Sequence, residues 1–284
     1  MRFFFVVLCR FGGYDLYEGK TRLSEARHTI NSEANIIFGK EAAMERIAVI
    51  SDIHGNLPAL QAVLQDIAAR GIGRIFCLGD LAGKGPGSAE AVDLIRSSCE
   101  IVVRGNWDDF IGKPTDNPAL IWHQQLLGAE RLHYLSSLPF STEFIMSGRL
   151  VRLFHASQVS VYKRVQPWDA YEERFAMFNA LAEGGPAADV IGYGDIHNAY
   201  VQHFEGRTLF NSGSVGNPLE IPQASYAIIE GEWEVREAAA FSIQLLRIPY
   251  DIEAAVRLAV EAGMPDLDPY VMELRTARYR GLHK

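Results

Sequence analysis

The chain has 284 residues, 48% of them hydrophobic, and a formal net charge of -8. That length is enough to bury one sizeable core, or one domain with an appendage. The acidic balance excludes a broad nucleic-acid surface, because polyanion backbones are gripped by clustered Lys and Arg; it leaves room for a small phosphorylated substrate whose charge is met locally by bound cations.

At the amino terminus, Arg2 precedes an apolar run, Phe3-Phe4-Phe5-Val6-Val7-Leu8-Cys9. The run is too short for a membrane span and no small-residue cleavage site follows it. No sustained period appears before Met44. Residues 1–43 are therefore expected to be a poorly ordered extension or the product of an upstream start, with a secretion signal as the alternative. The three cysteines, Cys9, Cys77 and Cys99, are an odd number and none lies in a CxxC pair. No disulfide framework is expected, which points to a reducing, cytoplasmic setting without membrane attachment.

From Met44 short β-rich runs alternate with amphipathic helices. Arg46 to Ser51 reads as a strand. Leu57 to Arg70 reads as a helix, with Asn56 as its N-cap and Pro58 in its first turn. Strand Arg74 to Leu78, helix Ser88 to Ser97 and strand Glu100 to Arg104 follow, an order that implies a parallel sheet with right-handed crossovers. A longer helix runs from about Pro118 to Ser136. Phe140 to Met146 and Leu150 to His155 form a hairpin around Ser147-Gly148, and Asp169 to Ala182 is helical. Val190 to Tyr193, Tyr200 to Phe204, Thr208 to Phe210, Tyr226 to Glu230 and Phe241 to Ile248 read as strands. Asp251 to Ala262 and Pro265 to Arg278 close the chain as helices. The expected fold is α/β, with two packed mixed sheets and helices outside, a four-layer α/β-β/α sandwich over residues 44–284.

The polar residues that break this pattern stand at the carboxyl ends of strands, where open α/β folds bind ligands. Asp52-Ile53-His54 ends the first strand, and an extended backbone would face both polar side chains one way. Gly79-Asp80 ends the second strand and Gly105-Asn106-Trp107-Asp108 the third. His155 and Gly194-Asp195-Ile196-His197 end two later ones. Each fragment alone is commonplace, and a lone strand-end histidine is more often structural than a ligand. Their joint recurrence is not explained by chance turns. Mixed oxygen and imidazole donors without thiolate suit manganese first, with iron, zinc, nickel or magnesium as alternatives. Seven donors exceed what one ion takes from protein, so two ions roughly 3.5–4 Å apart are expected.

In these motifs the chain resembles the calcineurin-like metallophosphoesterases, and most of all their small bacterial phosphodiesterase-like branch. The family pattern is D-x-H, G-D, G-N-H-D/E, H and G-H-x-H, and Asn211-Ser212-Gly213-Ser214-Val215-Gly216-Asn217-Pro218 is similar to its N-P-G-S-V-G segment. The resemblance covers Met44 to the end. It implies one metal on Asp52, His54, Asp80 and His197, with Asp80 bridging to a second on Asn106, His155 and Asp195. It implies hydrolysis of a small phosphodiester or nucleotide pyrophosphate link by metal-activated hydroxide, with Asn106, Trp107 and Asp108 around the reacting groups. Gly79-Asp80-Leu81-Ala82-Gly83-Lys84 lacks the Asp-Arg-Gly of protein serine/threonine phosphatases, the first alternative. A catalytically degenerate binding protein on the same fold is the second.

Two positions depart from the family. Trp107 stands where relatives carry an acid histidine, and indole cannot protonate a leaving oxygen. It is read as a wall or stacking platform for substrate. His123 as a substitute acid is weighed against a partly exposed helical histidine. Asp195 replaces the first histidine of G-H-x-H, as a ligand for a harder metal or as the mark of a weakened second site. Lys84 could reach a substrate phosphate or be a solvated lysine. Asp108 and Asp109 could orient metal-binding groups or cap a turn. Oligomeric state is open.

Overall fold

A computed structural model describes residues 44–282. The expectations for residues 1–43 lie outside the described residues. Among the described residues, ten strands form two five-stranded sheets. In the first, β1 (Met44–Ile50) lies parallel to β2 (Arg74–Cys77), which lies parallel to β3 (Ile101–Val102). On its other side β1 pairs antiparallel with β9 (Ala224–Glu232), and β9 with β10 (Phe241–Ile248). The second sheet has the order β4 (Ser141–Met146), β5 (Arg149–Phe154), β6 (Val190–Tyr193), β8 (Arg207–Asn211), β7 (Tyr200–Phe204). Its inner pairs β5–β6 and β6–β8 are parallel, and its outer pairs antiparallel.

Side-chain alternation along β1 sets the layers. Ile47 and Val49 join Phe76, Val151, Leu153 and Phe210 in the core between the sheets. Ala48 and Ile50 point the other way, into a core shared with α1 (Leu57–Ala69), α2 (Ser88–Ser98), α3 (Asn106–Phe110) and α4 (Pro118–Ser137). A third cluster around Phe154, Phe178, Ile191 and Leu209 covers the outer face of the second sheet. α6 (Ile252–Glu261) and α7 (Leu267–Thr276) bury Ala255, Ala259, Tyr270 and Leu274 against each other. Both faces of both sheets are thus covered, as the alternating sequence pattern requires. Among the described residues no helix is long and apolar enough to cross a membrane.

The structure departs from the sequence expectation in four places. The third strand is only two residues long, because after Val103 the chain peels away and Arg104 N donates to Pro139 O at 2.7 Å. α4 is broken at Gly128, whose φ of 67° no helix accommodates. His123 on α4 is buried, not partly exposed. The helix expected from Asp169 to Ala182 is reduced to α5 (Tyr171–Ala176). Beyond it, the fully buried Arg152 takes the carbonyls of Asn179 and Pro186 at 2.6 and 2.9 Å. Those carbonyls satisfy a guanidinium instead of a helical ladder, and Glu143 neutralises it from the neighbouring strand.

Without Arg152 the carbonyls of Asn179 and Pro186 lose their donor, and each buried polar group left unpaired costs about 1–3 kcal/mol; Glu143, with its side chain 34% exposed, keeps its contact with water. Arg152→Ala is therefore expected to lower the free energy of unfolding in urea by about 3 kcal/mol and to expose residues 177–188 to limited proteolysis. Unchanged stability would show that the guanidinium is not what holds this segment.

Candidate metal centre

Six residues with unusual backbone geometry mark the site. Asp52, His54, Asp80, Lys84, Asp195 and His197 all have φ between 48° and 62°. Non-glycine residues seldom adopt the left-handed region, and such strain concentrates where the surrounding structure enforces it. This replaces the extended backbone expected for Asp52 and His54. The loops after β1 and β2 run side by side: Gly79 O accepts from Asp52 N at 3.0 Å, Asp80 O from His54 N at 2.9 Å, and Leu81 O from Gly55 N at 3.1 Å. Glycine is required where backbone meets the cluster. A Cβ at Gly105 would overlap Asp80 Oδ1, and one at Gly194 would overlap Ser51 Oγ.

Three imidazoles enter the cluster in the same way. His155 Nδ1 donates to Leu78 O at 2.8 Å, His54 Nδ1 to Ala82 O at 3.4 Å, and His197 Nδ1 to Asn217 O. A carbonyl only accepts, so each Nδ1 carries a proton, and in the neutral imidazole that a cation requires each Nε2 presents its lone pair inward. His54 Nε2 and His197 Nε2 then face each other at 3.3 Å. Asp52 Oδ1 lies 3.3 Å from His197 Nε2 and 3.8 Å from His54 Nε2. Asp80 Oδ2 lies between His54 Nε2, at 3.7 Å, and His155 Nε2, at 3.5 Å. The other carboxylate oxygens are anchored, Asp52 Oδ2 by Asp195 N at 3.0 Å and Asp80 Oδ1 by Trp107 N at 2.8 Å.

Among the described residues, Asp52 Oδ1 and His155 Nε2 are buried without any hydrogen-bond partner. They are two of ten such side-chain atoms among those residues, and the two that face one another's ligand groups inside the cluster; a buried polar atom left unpaired calls for a reason. A cation supplies one. With metal–ligand bonds of about 2.1 Å, donors on one ion lie roughly 3.0–3.4 Å apart. Asp52, His54 and His197 form one group with ligand atoms within 4.8 Å of one another, and Asp52, Asp80 and His155 form another. The residues present therefore fit divalent cations in number, donor type and tautomer.

Burial opposes ionisation of Asp52, but the three imidazoles outweigh it and hold its carboxyl well below the usual carboxylate range. Burial, with Lys84 and His197 beside it, holds His54 well below the ordinary histidine value. At His155 burial pulls downward too, but Asp80, Asp52 and Asp195 prevail and raise it well above that value.

The remaining expected residues divide. Asn106 sits at the edge of the cluster and donates its Nδ2 to Asp195 Oδ1 at 2.8 Å. Asp195 lies 3.8 Å from His155 Nε2, and both of its oxygens accept from Arg164. Trp107 packs edge-on to His54, with ring centroids 5.7 Å apart, which makes it a wall of the site. Asp108 differs from its expected catalytic place: it accepts from Asp80 N, Leu81 N and Gly105 N at 2.7, 3.0 and 2.9 Å, so it clasps the second and third loops together. Burial and the Asp80 carboxylate push its pKa up to about 7, against the N–H groups of Gly105 and Leu81. Asp109 faces outward to Lys113 and Arg104. Lys84 is not a free surface lysine; its Nζ donates to Asn217 Oδ1 at 2.9 Å, and burial lowers its pKa.

Sequence reasoning missed Arg164, Asn217 and Glu273. Asn217 receives His197 and Lys84 and donates to Glu273 Oε2 at 3.2 Å, while Glu273 is fully buried and paired with Arg280 at 2.7 Å. The Asn217-Pro218 signal was visible, but its partner lies 56 residues downstream on α7.

Residues 45–233 match the family model of the calcineurin-like phosphoesterase superfamily domain. An uncharacterised protein of Methanocaldococcus jannaschii is 34% identical, over 78% of this chain and 94% of its own length. A crystal structure of a metallophosphoesterase from Sphaerobacter thermophilus is 29% identical, with a TM-score of 0.66 over 82% of this chain and 100% of that one. A Pyrococcus horikoshii protein of unassigned function shares the fold at 18% identity and a TM-score of 0.67, covering 82% of this chain and 99% of its own.

Two outcomes follow from this geometry. Groups that orient a ligating histidine typically contribute 10–100-fold, roughly, to metal affinity. Asn217→Asp keeps the backbone acceptor for His197 but loses the amide bond to Glu273, and is expected to weaken metal binding in a competition titration by about tenfold; wild-type affinity would remove Asn217 from the site. His123 is buried with Nδ1 3.2 Å from Ser88 Oγ, and burial lowers its pKa to about 4. It is neutral at pH 7 and no acid for the leaving group. Above pH 6.5 both folded and unfolded states are neutral; between 6.5 and 4 only the unfolded chain takes the proton. Stability should therefore fall across that window, by on the order of 3 kcal/mol from this residue. Unfolding followed against pH should show a shallower slope in His123→Gln, and parallel slopes would contradict the burial.

Proposed function

This chain belongs to the calcineurin-like phosphoesterase superfamily, and we propose that it hydrolyses a small phosphodiester or a nucleotide pyrophosphate link with two divalent cations, manganese first among them. The single observation that carries this reading is the pair of partnerless buried donors, Asp52 Oδ1 and His155 Nε2, on either side of Asp80.

Asp52, His54 and His197 would hold one cation and Asn106 and His155 the other, with Asp80 shared between them. When bound, such cations polarise the phosphoryl oxygens and bring the pKa of water toward neutrality. The chain's own contribution is position. Main-chain carbonyls hold the three imidazoles in one tautomer, Asp108 clasps the loops that carry Asp80 and Asn106, and Trp107 closes one side of the site. That rigidity keeps the donors aimed before substrate arrives, where pre-organisation lowers the barrier most.

Proton supply distinguishes the substrates. Trp107 cannot donate as an acid, His123 is neutral and turned to Ser88, and Asp108 is turned to backbone. Loss of general-acid assistance typically costs roughly 10²–10⁴-fold on poor leaving groups. The preference should therefore be for leaving groups stable as anions, such as aryl oxides or a nucleoside phosphate leaving from a pyrophosphate link. The acidic surface suits small substrates better than extended nucleic acid.

With manganese added, bis-p-nitrophenyl phosphate is expected to turn over faster than p-nitrophenyl phosphate, and alkyl esters more slowly than aryl ones by about 10² or more. A faster rate on phosphopeptides would instead point to a protein phosphatase. Silence with manganese, iron, zinc, nickel and magnesium alike would leave a binding protein on this fold.

A further inference from the structure

Asp195 and Arg164 support an inference that rests on the phosphoesterase reading above. Asp195 is buried, and its oxygens are engaged on three sides. Arg164 Nε donates to Oδ2 at 2.9 Å and Arg164 Nη2 to Oδ1 at 3.1 Å, while Asn106 Nδ2 donates to Oδ1 at 2.8 Å. This is a bidentate, charge-assisted pair, the strongest class of side-chain hydrogen bond. A carboxylate so held does not turn to a cation without releasing its guanidinium.

The pair has a second property. A carboxylate with a guanidinium is neutral together, as is the imidazole that G-H-x-H places here. The substitution therefore leaves the charge of the cluster unchanged while adding a fork of donors beside it. Of the five N–H groups of a guanidinium, Asp195 takes two, and the others have no protein partner among the described residues. The Arg164 side chain is 48% exposed and lines a cavity of about 380 Å³ that reaches the cluster at His197. Lys84, Trp168, Arg278 and Tyr279 line the same cavity.

We propose that Arg164 binds a phosphate oxygen of the substrate in this cavity, and that Asp195 is its positioning residue and not a metal ligand. Asp195 acts in two directions at once. It pins the Nε edge of Arg164, so that the remaining N–H groups face the cavity without the rotamer entropy a free arginine would lose on binding. It also accepts from Asn106 Nδ2, which turns the Asn106 carbonyl oxygen away from Asp195 and frees it as a donor to a cation. A bare lysine at position 164 would keep the charge but not the fork.

The test uses the full chain loaded with manganese, with inorganic phosphate as the probe, and reads phosphate binding by calorimetry and bound metal by elemental analysis. A charge-assisted hydrogen bond is worth roughly 10- to 100-fold in affinity. Arg164→Ala should keep the wild-type metal content and lose phosphate affinity by about that factor, and Arg164→Lys should restore part of it. In turnover of bis-p-nitrophenyl phosphate, KM should rise more than kcat falls. Asp195→Asn, which still accepts from Asn106, should keep the metal content and weaken phosphate binding.

Unchanged phosphate affinity in Arg164→Ala overturns the assignment, and so does loss of one metal equivalent in Asp195→Asn. Wild-type protein that binds phosphate through Arg164 but cleaves no ester counts for the assignment and against the hydrolytic reading.

Discussion

Buried donors without partners are the constraint on which the rest of this molecule turns. Asp52 and Asp80 are carboxylates removed from water, and the Nε2 atoms of three buried imidazoles converge on them at 3.3 to 3.8 Å. An isolated buried charge costs several kcal/mol even after relaxation. Two imidazole nitrogens 3.3 Å apart, each with its proton on the far side, cannot satisfy each other. Positive charge delivered by divalent ions resolves both problems, and the same ions are what a phosphoryl group needs.

Much of the surrounding architecture serves to hold this arrangement. Five residues just past the strand ends, and Lys84 in the loop after β2, accept left-handed backbone. Gly105 and Gly194 leave the space in which those loops touch the carboxylates. Beyond them, supporting groups from distant parts of the chain converge: Asp108 from the third loop, Asn217 from the glycine-rich segment, and Glu273 with Arg280 from the carboxyl-terminal helices. The two sheets set where these loops begin, since β1, β2, β5 and β6 all deliver their last residue to the same end of the sandwich.

What was legible in the sequence was the set of elements whose period is enforced by burial. β1 alternates because its two faces enter different cores, and its motif residues stand out because they interrupt that alternation. Asn56 was legible as an N-cap, and its side chain accepts from Ala59 N. The helix expected over 169–182 had no such enforcement. Its backbone is claimed by Arg152, a strand residue that reads locally as an ordinary surface arginine. His123 reads as exposed because helical spacing does not reveal that Ser88 and Trp107 close over it. Arg164 carries no local signal at all. It lies in a turn-rich segment, and its meaning comes from Asp195, 31 residues away. Side chains that act on one another across the fold leave no period to read.

The most direct measurement is an anomalous-difference map from crystals of the chain grown with manganese and collected at the manganese absorption edge. Two peaks roughly 3.5–4 Å apart, one beside His54 and His197, the other beside His155, with Asp80 between them, are the expected result. A map with no peak among these side chains, or with one confined to the exposed acidic surface, would contradict it.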